Sequence, residues 1–216
     1  MNFGTYGMPK NLGLASSEFG AYKHINIQPQ IKSVRYNPNG RYEGVFYEIG
    51  SKLNTEPYQN PCYFPDQFKI GFSYDTLLSN NPSLSPIRLF DRPSDLNTVR
   101  NPYHSENGGT TFTISLPSGF SLKLSGVAMQ KRNDFHSIHT SEFTITGFNI
   151  DDYKSLLGTF STSFISNGLP QFFVNSTITT SNYFNTFTFT RTANTDGGVY
   201  FTTPFLELFG DLKVYQ

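Results

Sequence analysis

The amino-acid sequence predicts an all-β fold, an antiparallel sandwich. The 216-residue chain contains 22 Phe and 13 Tyr, whereas charged residues make up only 15% of it. Aromatic residues and threonine favour strands. Short segments alternate between polar and apolar residues, which is the period of a half-buried strand. Turn residues separate these segments and no amphipathic helix intervenes, so the strands are expected to pair in antiparallel sheets.

Six segments carry the alternation and define the expected strands. They are 68–74, 111–116, 120–129, 143–148, 184–190 and 205–209. The segment 46–53 is expected to form either a short helix or an irregular segment, and a helical turn is expected near 87–90. Since alternate side chains of a strand share one face, the following residues are assigned to the core: Phe112, Phe120, Phe143, Phe187, Phe189 and Phe209.

The first 35 residues differ from the rest of the chain and predict an extended N-terminal arm. Their apolar residues follow no strand or helix period. These 35 residues include four basic residues but only one acidic residue, Glu18. We therefore divide the chain into an arm, 1–35, and a sandwich domain, 36–216. Irregularly spaced apolar groups on an arm are explained by docking to a partner. The residues expected to bind that partner are Phe3, Tyr6, Lys10, Leu12, Leu14, Phe19, Tyr22 and Lys23.

The sequence indicates a reducing, cytoplasmic setting. Cys62 is the single cysteine, so it has no partner for an internal disulfide. The start of the chain lacks the pattern of a signal peptide, and no apolar run reaches membrane-spanning length. No nucleic-acid motif accompanies the weakly basic arm. We expect neither membrane nor nucleic acid as a partner.

The order of these segments resembles the discoidin family, also called the coagulation factor five/eight type C family. Its early loop is similar to Leu89-Phe90-Asp91 and the stretch 101–105. Its central strand, which often ends at an arginine, is similar to 125–132. The remaining similarities are its phenylalanine strand and acidic turn, 141–157, and its closing pair of strands, 187–190 and 206–210.

This resemblance implies a galactose-binding-like jelly roll with ligand loops at one end of the sandwich. The segment 42–49 is similar to the segment that precedes such domains in protist cytoplasmic proteins. Many secreted members have a disulfide between their termini and tryptophans in the early loop. This chain has one cysteine and no Trp. The family's fold is therefore expected here more firmly than its sugar-binding or lipid-binding activity.

Two polar clusters are candidate ligand-binding residues. Planar guanidinium groups and neutral imidazoles suit hydroxyl or carboxylate ligands. The alternative for both clusters is a solvated loop with surface ion pairs of little energetic weight. Neither a cysteine nor a third histidine lies near the two histidines of the second cluster, so zinc is not expected. The clusters are Arg92, Arg100 and His104, and Arg132, Asp134, His136 and His139.

The sequence favours binding over catalysis. It contains no nucleophile elbow, no phosphate-binding loop and no dinucleotide fingerprint, so we expect no catalytic residue, metal or cofactor. The preferred hypothesis is a structural interaction protein that the arm anchors in a large cytoskeletal assembly. An axonemal microtubule of a cilium or flagellum is the example, because the tubulin surface is acidic. The alternative hypothesis is a carbohydrate-binding, lectin-like module.

Overall fold

Eleven strands and three short helical pieces make up the parts of the chain that the computed structural model describes. These parts are residues 28–38, 42–51, 53, 57–65, 68–74, 86–91, 103–104, 111–131, 140–164, 171–194 and 201–215. The helical pieces are α1, Val45–Gly50, and two 3-10 turns, Pro61–Tyr63 and Pro86–Phe90. The strands are β1 Gln30–Val34, β2 Gly71–Tyr74, β3 Tyr103–His104, β4 Thr111–Ser115, β5 Phe120–Gln130, β6 Thr140–Phe148, β7 Lys154–Ser161, β8 Phe172–Asn175, β9 Thr186–Asn194, β10 Thr202–Thr203 and β11 Leu206–Val214.

Two antiparallel sheets form the sandwich. Sheet 1 has the strand order β1-β11-β5-β8, and sheet 2 has the order β2-β4-β9-β6-β7. A small third sheet pairs β10 with β3. The chain repeatedly crosses between the layers, as when β4 of sheet 2 leads into β5 of sheet 1 and then into β6 of sheet 2. The predicted antiparallel jelly-roll sandwich is confirmed.

The sandwich includes a strand from the segment that the sequence assigned to the arm. β1 pairs antiparallel with β11, and Gln30 lies opposite Val214. Val34 is the only buried residue of β1, so this edge strand lacks the alternation that identifies the longer strands. Sheet 1 therefore begins five residues before position 35. The predicted partner-binding residues of the arm all lie outside the described residues.

Phenylalanine rings fill the space between the sheets. All six phenylalanines assigned to the core are buried. Phe112 stacks on Phe189 with ring centroids 4.8 Å apart. The Phe201 ring lies edge-on to the Phe112 ring, and their centroids are also 4.8 Å apart. Offset and edge-on ring pairs are the favoured aromatic geometries. Phe209 is an exception in position, since it belongs to a separate small cluster with Phe205 and Ala128.

Candidate ligand-binding end of the sandwich

The strand register defines two ends of the sandwich. In sheet 2, Thr140 at the start of β6 lies opposite Asn194 at the end of β9. In sheet 1, Gln130 at the end of β5 lies opposite Phe172 at the start of β8. We call this end, which also holds the start of β11, the loop end. The opposite end carries tight turns, including the one between β4 and β5, and is called the turn end.

Buried polar side chains are concentrated at the loop end. Of the nine buried polar or charged residues among those described, six lie there and three lie around helix α1. Buried polar groups are costly unless they hydrogen-bond, so their concentration at one end requires a hydrogen-bonding environment there. The six residues are Gln130, Lys131, Thr140, Thr162, Thr202 and Thr203.

Threonine hydroxyls join the strands at the loop end. The Thr202 backbone N–H donates to Thr140 Oγ1 at 2.8 Å. Thr162 Oγ1 donates to the Thr140 carbonyl at 3.0 Å. Thr203 Oγ1 lies 3.0 Å from the carbonyl oxygen of Gln130 and 2.7 Å from that of Phe205. These contacts fix β10 against the ends of β5 and β6.

The same contacts bring together residues that border the two predicted ligand clusters. His104 is opposite Thr202 in the β3–β10 pair, and Thr202 is bonded to Thr140. Thr140 and Lys131 are the described residues on either side of 132–139. Six predicted ligand residues lie outside the described part of the chain, as does the side chain of His104. They are Arg92, Arg100, Arg132, Asp134, His136 and His139.

Lys131 and Thr202 are polar residues of this end that the sequence analysis did not assign to a ligand site. Lys131 is only 1% exposed, and its backbone N–H donates to the Gln171 carbonyl at 2.8 Å. Thr202 is 2% exposed, and its Oγ1 makes no hydrogen bond within the described ranges. Both residues lie at strand ends, where sequence alternation no longer distinguishes buried from exposed positions. For that reason the burial of neither residue could be predicted from the sequence.

An aromatic cluster lies next to the loop end on the outer face of sheet 1. The rings of Tyr42 and Phe172 stack with centroids 4.3 Å apart and planes 11° apart. The ring centroid of Tyr36 lies 5.8 Å from that of Tyr42 and 5.7 Å from that of Phe209. Burial, with a smaller contribution from Tyr36, raises the pKa of Tyr42. Tyr36, Tyr42 and Phe172 are all half-buried, so part of each ring meets solvent.

Cys62 has the properties of a core thiol. It is 6% exposed, and burial, together with the negative charge of Asp91, raises the pKa of its thiol to about 12. A protonated thiol is a poor nucleophile and a poor metal ligand. Within the described ranges, no three His, Cys, Asp or Glu side chains are grouped so that they could hold a metal ion. No described helix is long and apolar enough to cross a membrane.

Comparison with known proteins finds similarity only among solved structures. No family model matches the chain, and no curated protein matches it. A family 32 carbohydrate-binding module from Clostridium perfringens in complex with galactose is 15% identical, with a TM-score of 0.44. The match covers 68% of this chain and 93% of that one.

Two further modules from Clostridium perfringens have the same level of similarity. One, in complex with GalNAc-β-1,3-galactose, is 9% identical with a TM-score of 0.48, covering 65% of this chain and 95% of that one. The other, from a family 31 glycoside hydrolase, is 15% identical with a TM-score of 0.47, covering 71% and 99%. The two-sheet topology of the present chain is itself an antiparallel jelly-roll sandwich.

Proposed function

We propose that this chain is a non-catalytic carbohydrate-binding module whose ligand binds at the loop end. The observation that carries the proposal is the concentration of buried hydrogen-bonding side chains there, six of the nine among the described residues. Binding sites for small molecules combine apolar walls with a few convergent polar groups. The loop end and the neighbouring aromatic rings contain both.

The chemistry of these groups suits a sugar. A sugar hydroxyl both donates and accepts hydrogen bonds, and threonine hydroxyls and glutamine amides can do the same. The hydroxyl of Thr202 is buried and makes no hydrogen bond within the described residues, so it can serve a ligand hydroxyl. The half-buried rings of Tyr42 and Phe172 provide flat apolar faces for the C–H side of a sugar ring.

The sequence-predicted clusters complete the proposed site. Arg132, Asp134, His136 and His139 all lie between Lys131 and Thr140, two residues of the loop end. Charged groups of this kind form short, strong hydrogen bonds to ligand oxygens. We assign them, with Arg92, Arg100 and His104, to recognition of the sugar. The galactose-binding-like fold makes galactose and N-acetylgalactosamine the first sugars to test.

The anchoring hypothesis remains a sequence prediction. Its eight arm residues lie outside the described residues, and no comparison supports a cytoskeletal or tubulin partner. The predicted cytoplasmic location is likewise untested. Both concern the arm and the cellular setting, so they neither require nor exclude a ligand at the loop end.

Isothermal titration calorimetry with galactose, N-acetylgalactosamine and glucose tests the proposal. We expect Arg132→Ala/His136→Ala to weaken binding of the preferred sugar by about tenfold or more, because two hydrogen-bonding groups are lost. Lys154→Ala is the matched control, since Lys154 is exposed at the turn end. Its affinity should equal that of the wild type. Failure of the wild type to bind any of the three sugars would reject galactose-type recognition.

Thr202→Val provides a second test at a described residue. Valine keeps the shape and the backbone N–H bond to Thr140 but removes the hydroxyl. We expect weaker sugar binding with an almost unchanged melting temperature, because Thr202 Oγ1 makes no hydrogen bond within the described chain. Thr203→Val should show the opposite pattern, because the Thr203 hydroxyl contacts two carbonyl oxygens. Equal sugar affinity of wild type and Thr202→Val would remove Thr202 from the site.

A further inference from the structure

The outer face of sheet 1 carries basic groups near the turn end. Leu122 and Leu212 are buried between the sheets, so their neighbours Lys123 and Lys213 lie on the opposite face. Lys123 is opposite Asp211 in the β5–β11 pair. The two lysines are therefore diagonal neighbours, within reach of one partner molecule.

The ammonium group of Lys213 is held by aromatic rings. Its Nζ lies 4.2 Å from the centroid of the Tyr183 ring and 5.9 Å from that of Tyr215. A cation over a tyrosine face is attracted by the ring quadrupole. Lys213 forms no ion pair within the described residues. The rings thus orient a cation while its N–H donors remain available to an external anion.

Asp211, the one acid among the described residues on this part of the face, is already neutralised. Asp211 accepts hydrogen bonds from Ser33 Oγ at 2.5 Å and from the Arg35 guanidinium, with which it also forms an ion pair. The hydrogen bond from Ser33 and the nearby Arg35 lower the pKa of Asp211. Arg35, Lys123 and Lys213 against Asp211 give 3 − 1 = +2. Lys123 and Lys213 carry that excess.

The aromatic cluster and the basic groups form one continuous track. Phe209 and Asp211 are alternate residues of β11, and both lie on the outer face of sheet 1. Tyr36 and Tyr42 pack beside Phe209, nearer the loop end. Phe209 itself is only 1% exposed, so the half-buried rings of Tyr36 and Tyr42 form the surface above this part of β11. One end offers aromatic faces and the other offers cations.

We infer that this track binds an acidic polysaccharide that lies along β11. Its sugar rings contact the aromatic half, and its carboxylate or sulfate groups bind Lys123 and Lys213. This inference rests on the proposed function and extends the ligand from one sugar to a chain. The two lysines lie side by side at one end of the track and the aromatic rings lie at the other, which suits a polymer that combines acid groups with sugar rings. Nucleic acid, with a charge every few ångströms, requires a denser basic surface.

The test compares polymers by affinity electrophoresis and calorimetry at low ionic strength. The probes are polygalacturonate for carboxylate, dextran sulfate for sulfate, uncharged dextran, and a single-stranded oligothymidylate. We expect at least one acidic polysaccharide to bind at least about tenfold more tightly than dextran, and more tightly than the oligonucleotide. Equal binding of dextran and both acidic polymers, or tighter binding of the oligonucleotide, overturns the inference.

Paired variants locate the binding on this face. Lys123→Ala/Lys213→Ala should lose about tenfold in affinity for the acidic polymer. The matched control Lys69→Ala/Lys154→Ala removes the same charge from exposed positions outside sheet 1 and should bind like the wild type. Equal losses in both double variants would show only a general charge effect and would reject the track.

Two further readouts separate this inference from the proposed function. Lys123→Ala/Lys213→Ala should bind galactose or N-acetylgalactosamine as the wild type does, whereas Arg132→Ala/His136→Ala should not. Tyr183→Phe keeps the ring under Lys213 and should retain polymer binding, while Tyr183→Leu should reduce it severalfold. Loss of single-sugar binding in the lysine variant would show that the two lysines act on the single sugar itself, which would reject their role as a separate subsite for the acid groups of a polymer.

Discussion

The carboxylate of Glu207 caps a helix that lies 160 residues earlier in the chain. Its Oε1 accepts the backbone N–H of Phe46 at 2.6 Å, and its Oε2 accepts that of Tyr47 at 3.1 Å. The first N–H groups of a helix have no partner within the helix. Gly44, the residue before α1, provides no side-chain cap. A glutamate of the last strand therefore supplies the missing acceptor.

Removal of this carboxylate should destabilise the fold. Glu207 is 1% exposed, so Glu207→Ala leaves one buried and one part-buried backbone donor without their acceptor. We expect the free energy of unfolding to fall by about 2 kcal/mol or more. Glu207→Gln keeps one acceptor oxygen and should cost less. Urea denaturation of both variants measures the difference, and an Ala variant as stable as the wild type contradicts the capping role.

Gly210 and Gly71 should respond differently to substitution by alanine. Gly210 lies beside a β-bulge, and a Cβ atom there would be 2.2 Å from the carbonyl oxygen of Lys123. A Cβ at Gly71 would meet nothing closer than Ser115 Cβ at 3.6 Å. We expect Gly210→Ala to lower the free energy of unfolding by about 1–3 kcal/mol. Gly71→Ala should be neutral or slightly stabilising. Thermal unfolding curves for the pair decide this, and equal melting temperatures would be evidence against the close strand contact.

Cys62 should be inert in the folded protein. Burial raises the pKa of its thiol to about 12, so almost no thiolate is present near neutral pH. We expect negligible labelling by iodoacetamide at about pH 8 under native conditions and complete labelling in denaturant. Mass spectrometry counts the modified fraction. Rapid labelling of native protein would show that this part of the structure opens readily.

Asp211 should make stability depend on pH in acid. The hydrogen bond from Ser33 and the proximity of Arg35 lower the pKa of Asp211 below 3.8, its ordinary value, although burial acts in the opposite direction. A lowered native pKa stabilises the fold above the unfolded pKa, and this contribution is lost as pH falls through the native value.

Asp211→Asn removes that contribution. The melting temperature of the variant should be below that of the wild type at neutral pH. The difference should shrink once the pH falls below about 4, because the carboxyl of the unfolded wild-type chain then takes up protons before the native carboxyl does. Melting curves between about pH 7 and pH 2 measure it. A difference that stays constant over the whole range would show that the carboxylate charge contributes nothing.

Most of the long strands could be predicted from sequence because one face of each is apolar. The exception is β7, an eight-residue strand with a single buried residue, which was not among the predicted segments. Phe112, Phe187 and Phe189 alternate with threonines, and all three are buried. The short edge strands β1 and β8 could not be predicted in this way, since one has a single buried residue and the other has none. Their positions depend on pairing with β11 and β5, which are distant in sequence.

The candidate site was predictable only in part. Arginine and histidine clusters are visible in sequence because their chemistry is distinctive. Lys131 is indistinguishable in sequence from a solvated lysine, yet it is almost fully buried. Thr202 resembles any other threonine, and its position beside Thr140 follows from the meeting of β10 with β6. Such burial results from contacts between remote segments.

The sequence by itself determined that this protein is an antiparallel β-sandwich, because alternation and turn residues act over a few neighbouring positions. The tertiary structure alone decided which faces these strands present to solvent and which polar groups meet at their ends. Lys123, Asp211 and Lys213 form one charged surface because β5 and β11 pair in one register. Pairing of this kind depends on the packing of the whole chain, which no local pattern specifies.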